Sequence, residues 1–584
     1  MPPDKVWKLK TPSLPAHASH WQPTPLASQL SSEVDLTPLQ AQLLINRGIS
    51  DRESVRSFIR PQLADMADPM MMKGMDEAIE TILKSIENKE KITIYGDYDA
   101  DGLTATALLS NFLSSIDIPV SCYIPNRLKE GYGLNREAIE KIASSGTGLI
   151  ITVDCGISNG EEISFARSLG MKVVVTDHHQ IPIGFQANCP VINPHQGDCP
   201  FPFKDLAGVG LAFFLSVAVR ACLRERGWFK SKPEPDLKEY LDLVALGTVA
   251  DRVPLLGQNR MLVNSGLGIV ASTRWPGINA IKEVANIGAS EITADDLAFR
   301  LAPRLNAPGR MGDPEIGLKI LTVRDPHMAR DFALEANTMN NQRQNVEKDI
   351  LEQIEGLIKT TEGFNGLKTL VFAGEGWHKG VLGIVASRLV DKYHRPALVF
   401  NIQDGMAVGS GRSIDGFNLY VALGKLDHLI DKFGGHAHAA GFTLKAENLD
   451  NLKSELEALA NDTFGDEDLV PTIEVDAEIT LNDITHKMIR EIKALSPFGE
   501  GNPEPLFCAR SLKVLVSRIV GDRHLKLRVR QEGKSFEAIG FGLAGKYPLD
   551  GKTINMAFSP ELNRWKGYDR IQLRIIDLQT SLSG

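Results

Sequence analysis

Between Ile92 and Thr176 the chain alternates short apolar runs with stretches long enough to be helices. Ile92–Tyr95 precedes Thr104–Leu113, Val120–Ile124 precedes Arg136–Ala143, Leu149–Val153 precedes Glu161–Leu169, and Val173–Thr176 closes the series. Strands separated by helix-length segments predict βαβ units, and hence a parallel sheet with helices on its faces. In such a sheet the functional crevice lies beyond the carboxyl ends of the strands. Asp97-Tyr98-Asp99-Ala100-Asp101-Gly102 follows the first run, Asp154-Cys155-Gly156 the third, and Asp177-His178-His179 the fourth.

Taken singly, an Asp/Gly loop equally fits a solvated turn capping the next helix, and a pair of histidines is more often structural or solvent-exposed than a ligand. Three ligand-bearing ends in one sheet point instead to a divalent cation. Hard oxygen ligands with one imidazole suit Mg²⁺ or Mn²⁺ rather than zinc, and the imidazole tilts the choice to Mn²⁺. The number of carboxylates suffices for two ions, which at about 3.5–4 Å apart activate water and neutralise charge on a phosphoryl oxygen. The pattern thus predicts a metal-dependent phosphoester hydrolase. Asp251, closing the expected helix 237–249, fits either a ligand or an ordinary surface position.

A chain of 584 residues exceeds one core and implies roughly three to five domains. With 43% hydrophobic and 23% charged residues it has an ordinary globular composition. No apolar run nears the ~20 residues needed to span a bilayer. Met1–Lys10 is charged and Pro-rich without an apolar core, which argues against a signal peptide. Six cysteines without CxxC spacing suggest neither a disulfide framework nor a zinc ribbon, and a reducing cytoplasm is expected. The net charge of −9 excludes a wholly basic coat but not a local basic track.

Residues 1–36 read as an extended, loosely held arm. Helical spacing over 37–58 begins with Thr37-Pro38, an N-cap and first helical position. Helices are expected at 76–87 and 207–224. The polar stretch from Pro326 to Gly356 reads as a long, largely solvated connecting helix. A second α/β unit starts at Leu367, and from Pro471 short strands predict a small barrel or sandwich. The expected organisation is an N-terminal arm with helices (1–75), a metal-binding catalytic domain (76–324), a connecting helix (325–362), a substrate-binding domain (363–466) and a nucleic-acid-binding domain (467–584).

Several segments could meet an anion. Arg127, just past the second strand, could fork onto a phosphate or form a surface ion pair. Gly409–Ser413 and Gly434–Gly441 read as small-residue loops with accessible backbone N–H groups, and Ala302–Arg310, carrying Arg304 and Arg310, as a further irregular segment. Near the C-terminus Lys513, Arg518, Arg523, Lys526, Arg528 and Arg530 face a single acid, Asp522. His524, Lys526, Arg528 and Arg530 form a period-2 stripe opposite Leu525, Leu527 and Val529, an apolar-in, positive-out strand. Charge stripes are usually solvated faces; on a small barrel they are also what single-strand binders use.

The three Asp/His motifs resemble the sequential motifs of the DHH phosphoesterases. Gly380–Arg388, Ser410-Gly411-Arg412-Ser413 and Gly434-Gly435-His436 resemble the DHHA1-type domain associated with them. With the trailing OB-like barrel, the arrangement from about residue 40 onward is similar to the family's bacterial exonucleases, specific for single-stranded DNA and acting 5′→3′. The resemblance implies metal binding by Asp99, Asp101, Asp154, His178 and Asp251, with Asp97 and His179 close by and His179 supporting the ligands or acting as an acid/base group. It also implies that Arg127, Arg304, Arg310, Ser410, Arg412 and His436 meet DNA phosphates, joined on the barrel by Arg523, Lys526 and Arg528. Tyr95 stands where several relatives carry a metal-ligating His. Single-stranded DNA, a single-strand-binding protein and a RecQ-type helicase are the implied partners, in repair and recombination, for a monomer. Two alternatives stay open: a phosphodiesterase for short oligonucleotides or cyclic dinucleotides, and a degenerate replication scaffold without activity.

Overall fold

A computed structural model of the chain describes residues 5–14, 19–288, 292–565 and 568–580. It divides into two compact units: Gln62–Leu469 with Gly499–Gly501, and the segment up to Pro61 joined by Val470–Phe498 and the chain from Asn502 onward.

In the first unit, five parallel strands lie in the order Val120–Tyr123, Lys91–Gly96, Thr147–Val153, Lys172–Thr176 and Val191–Ile192. The chain therefore leaves Lys91–Gly96 to one side and returns on the other. The resulting switch point falls between Lys91–Gly96 and Thr147–Val153, and in open α/β sheets ligands bind there. Helices Ala100–Ser115 and Gly208–Glu225 are almost wholly buried between this sheet and further helices. Helix Leu241–Asp251, apolar all round, ends at its only half-exposed acid.

Helix Pro326–Thr360 runs for 35 residues from an Asp325 cap. It is less solvated than its polarity suggests, because Ala329, Ala333, Ala336, Asn340, Glu347, Ile350 and Ile354 are buried. Beyond it a mixed sheet orders Lys432–His436, Ala439–Lys445, Met406–Arg412, Ala397–Gln403 and Leu370–Glu375, only the last two being parallel.

Three expectations are corrected here. Gly409–Ser413 and Gly434–Gly441 are not loops offering amides: Met406–Arg412 is an inner strand, and Lys432–His436 and Ala439–Lys445 form a hairpin beside it. Small residues are required there because Phe400 and Phe442 pack across Gly409. Ala302–Arg310 is helix, Ala302–Met311, running on directly from the helical turns of 294–301 and carrying Pro303 and Pro308 within it.

The second unit holds a closed barrel. Phe507–Val520, His524–Gln531, Lys534–Gly540, Tyr568–Thr580 and Thr553–Trp565 pair in turn, and the last returns to the first. The third correction is the arm: Val6–Leu9 pairs in parallel with Thr472–Val475, Trp7 Nε1 donates to Asp577 at 2.8 Å, and Pro25–Glu33 is a helix capped by Thr24.

Candidate metal centre and phosphate site

Each acidic side chain is placed by a strand end or a helix end. Asp99 caps helix Ala100–Ser115, its Oδ1 accepting from the amides of Asp101 (3.0 Å) and Gly102 (3.2 Å). A Cβ at Gly102 would stand 2.6–2.7 Å from Asp97 backbone and Cβ atoms, so the turn between these carboxylates needs glycine. Asp101 lies in the first turn of that helix and meets the start of another: Gly208 and Val209 donate to its two oxygens at 2.6 and 2.9 Å. Asp154 adopts φ +61, a left-handed conformation uncommon outside glycine, and its backbone N–H donates to the Thr176 carbonyl at 3.0 Å.

These ends converge. His178 Nε2 lies 3.1 Å from Asp154 Oδ1, 3.6 Å from Asp251 Oδ2 and 3.9 Å from Asp101 Oδ2. Ligand atoms within 4.8 Å of one another form three overlapping groups: Asp97, Asp99 and Asp154; Asp101, His178 and Asp251; and Asp154, His178 and His179. Asp154 and His178 link the groups.

The electrostatics are those of a cation site. Burial drives the Asp97, Asp101 and Asp154 carboxyls well above the usual range, and their acidic neighbours add to it. Asp251 is raised to about 7, by burial and then by Asp99. His178 falls to about 3, chiefly through burial, so its ring is neutral. Asp97 Oδ1, Asp154 Oδ1 and His178 Nε2 are buried without a hydrogen-bond partner among the described residues. Orphaned acceptors beside mutually repelling carboxylates fit divalent cations.

His179 differs from its neighbour. Burial works against its charge, but the Asp177 carboxylate, 2.7 Å from Nδ1, prevails and raises it to about 9. Asp177 also accepts from the amides of His179 and Ile157, tying the histidine loop to the loop behind Asp154. Asn193 adds a further brace, its Nδ2 donating to the His179 carbonyl at 2.9 Å.

A basic cluster adjoins the acids. Burial, and after it the Arg127 charge, lower Arg310 to about 10 against the opposing pull of Asp99. Arg412 is lowered by burial and again by Arg127. The Arg127 guanidinium lies 5.2 Å from the Tyr98 ring centroid, and Arg310 Nη1 donates to the Gly380 carbonyl at 3.3 Å. Arg412 donates to Ser410 Oγ at 3.2 Å, and a Cβ at Gly383 would sit 3.0 Å from both side chains. The first turn of helix Leu382–Tyr393 thus abuts Ser410 and Arg412, a favourable place for an anion.

The other expected phosphate contacts are not drawn in. Arg304 turns to Asn337 (2.9 Å) and the Arg300 carbonyl (2.5 Å). His436 is exposed on its hairpin and joined to neither cluster by a hydrogen bond or ion pair among the described residues. Arg523, Lys526 and Arg528 lie on the barrel unit. Tyr95 is buried, its hydroxyl donating to the Gly133 carbonyl at 2.9 Å.

Two site residues escaped the sequence reading. Tyr132 places its hydroxyl 3.3 Å from both the Asp154 carbonyl and His179 Nδ1; its flanking glycines, at φ +84 and +79, were the available signal. Arg343, on the connecting helix, lies in the field of Arg310, bonds Glu347 at 3.2 Å and leaves a buried Nε unpartnered. Nothing in the sequence separated it from its polar neighbours.

Known families match in three segments: the DHH family N-terminal domain over 91–248, the DHHA1 domain over 366–462 and the RecJ OB domain over 475–577. The chain is 38% identical over 558 residues to the single-stranded-DNA-specific exonuclease RecJ of Bacillus subtilis strain 168, covering 94% of this chain and 69% of that one. With RecJ of Escherichia coli strain K12 it is 36% identical, covering 93% and 96%. The crystal structure of Thermus thermophilus RecJ in complex with Mn²⁺ superposes with a TM-score of 0.81 at 29% identity, covering 99% of this chain and 80% of that one.

Proposed function

The chain belongs to the RecJ family of single-stranded-DNA-specific exonucleases, and from that premise we propose how its own residues carry out the reaction. It is a phosphodiester hydrolase for single-stranded DNA that uses Mn²⁺ or Mg²⁺. Asp97, Asp99 and Asp154 hold one cation; Asp101, His178 and Asp251, with Asp154 shared, hold a second. The convergence of orphaned Asp97 Oδ1, Asp154 Oδ1 and His178 Nε2 is the observation that carries this assignment.

Bound cations supply an activated water and neutralise charge building on the phosphoryl oxygens. Arg127, Arg310, Arg412 and Ser410 bind the 5′-terminal phosphate, with the first turn of helix Leu382–Tyr393 behind it. A strand anchored there presents its first phosphodiester to the acidic cluster, so cleavage runs 5′→3′ and releases 5′-mononucleotides. The His179 imidazolium, oriented by Asp177, holds a proton for the departing 3′-oxygen. Tyr132 steadies that ring.

The barrel holds the rest of the strand through Arg523, Lys526 and Arg528. A hydrolase of short oligonucleotides or cyclic dinucleotides would have no use for such a track, and a degenerate scaffold would have no use for a complete ligand set. We place the enzyme in the cytoplasm as a monomer, working in repair and recombination with a single-strand-binding protein and a RecQ-type helicase. Its six cysteines are free, and no helix among the described residues is long and apolar enough to cross a membrane.

Strands labelled at either end test this reading. In Mn²⁺, 5′ label is expected to appear at once as mononucleotide and 3′ label only late. The reverse order would refute the polarity, and retention of near-wild-type activity by Asp154→Ala would refute the metal assignment.

A further inference from the structure

The outer face of the barrel carries more than its basic stripe. Cross-strand register sets Val520, His524 and Phe541 abreast at the loop end, because Val520 opposes His524 and Phe541 follows Gly540, the partner of Leu525. The next outward row is Arg518, Lys526 and Ile539, and the one after it Val516, Arg528 and Glu537. Alternation puts Leu525, Leu527 and Val529 inside, so these rows share one solvent-facing surface.

Two features of the first row ask for a ligand. Phe541 is 57% exposed, and Val520, across His524 in the same row, and Val516, two rows on, are also exposed. The His524 ring meets Phe541 edge-on, with centroids 5.1 Å apart at 74°, and its Nδ1 accepts from the Gly542 amide at 3.2 Å. The pair is thereby fixed in orientation while one aromatic face stays open. Around it the charge is one-sided. Glu537 is the single acid of the three rows and is paired to Lys526 at 2.8 Å; Arg518 and Arg528 have no ion pair among the described residues.

A fixed, exposed aromatic beside unpaired arginines is chemistry for an unstacked base with its phosphates. We propose that Phe541, braced by His524, is a base-stacking platform for single-stranded DNA, with Arg518 and Arg528 holding the adjoining backbone. This rests on the reading that the barrel binds the substrate strand, and it adds the stacking element that the basic residues alone lack. An apolar segment of a protein partner would fit Val516, Val520 and Phe541 as well, but it would leave Arg528 without a counter-charge among the described residues and Arg518 with only the field of Glu537, which Lys526 already pairs.

Full-length protein kept inactive in EDTA, titrated with fluorescent dT30, tests it. Phe541→Ala is expected to weaken binding about five- to 150-fold, the fold-change equal to stacking one base, and to raise KM for the same strand in Mn²⁺. Phe541→Trp should bind as wild type, with its fluorescence quenched on adding dT30, which a merely structural role would not produce. Wild-type affinity in Phe541→Ala, or unquenched fluorescence in Phe541→Trp, overturns the platform. Arg518→Glu/Arg528→Glu separates the two levels. If it weakens dT30 binding while Phe541→Ala does not, stacking alone is wrong. If neither variant changes the affinity, the barrel does not hold the strand.

Discussion

Acidic side chains buried around a neutral imidazole repel one another, and something positive must share their space. That requirement has a pH signature. Between pH 6.5 and 9 the metal-free protein carries Asp251 through about 7 and His179 through about 9, both raised, while Asp97, Asp101 and Asp154 are also held above their unfolded values. Raised groups stabilise the fold below their unfolded pKa and lose that stability as pH climbs through the folded one. His178, lowered to about 3, is neutral throughout this window. In EDTA the Tm should therefore fall from pH 6.5 to 9, and the rise produced by Mn²⁺ should be larger at pH 9 by at least about 1 °C, the scale of a 1 kcal/mol change in a unit of about 400 residues. A metal increment independent of pH would count against the acidic centre. A second residue-level prediction concerns Asp177. Replacing it with Asn removes the charge that keeps His179 protonated, so the alkaline limb of the pH–rate profile should move to lower pH. Activity should drop about 10–100-fold, part of the roughly 100–10,000-fold that a positioned proton donor contributes. An unmoved alkaline limb would exclude His179 as the proton carrier.

At the scale of elements, the legible part of the sequence was the part with a period. Apolar runs and helix-length spacers gave the parallel sheet, and the position of Asp97–Asp101, Asp154 and Asp177–His179 at run ends followed from it. The alternation over His524–Arg530 likewise became one barrel strand with its apolar side inward. Glycine-rich segments misled, because glycine signals either a turn or close packing. At Gly409 it is packing, beneath Phe400 and Phe442. The Val6–Leu9 strand was hidden for another reason: its partner, Thr472–Val475, lies at the far end of the chain, and no local pattern reports such pairing. Arg343 was invisible because its neighbours on the helix are equally polar. The strand yields a test. Deleting residues 1–10 removes its ladder and the Trp7–Asp577 bond, and should destabilise the barrel unit by about 1–3 kcal/mol, read as an earlier denaturant midpoint for that unit's unfolding. An unchanged midpoint would mean that the strand adds nothing to the unit.

Over the whole molecule, the two chain ends build one unit and the middle builds the other. Under the proposed function, chemistry falls to the first unit and strand holding to the second, and the chain passes between them at 61–62, 469–470, 498–499 and 501–502. Anchoring of the 5′-phosphate by Arg127, Arg310, Arg412 and Ser410 would set direction, and the barrel would set the preference for long strands. All of this depends on cations bound by residues from four distant parts of the sequence. The measurement that reaches this point most directly is anomalous scattering from crystals grown with Mn²⁺. Two peaks are predicted, one among Asp97, Asp99 and Asp154 and one among Asp101, His178 and Asp251, with the Asp154 carboxylate touching both. Manganese bound elsewhere, or no peak at Asp154, would contradict the account.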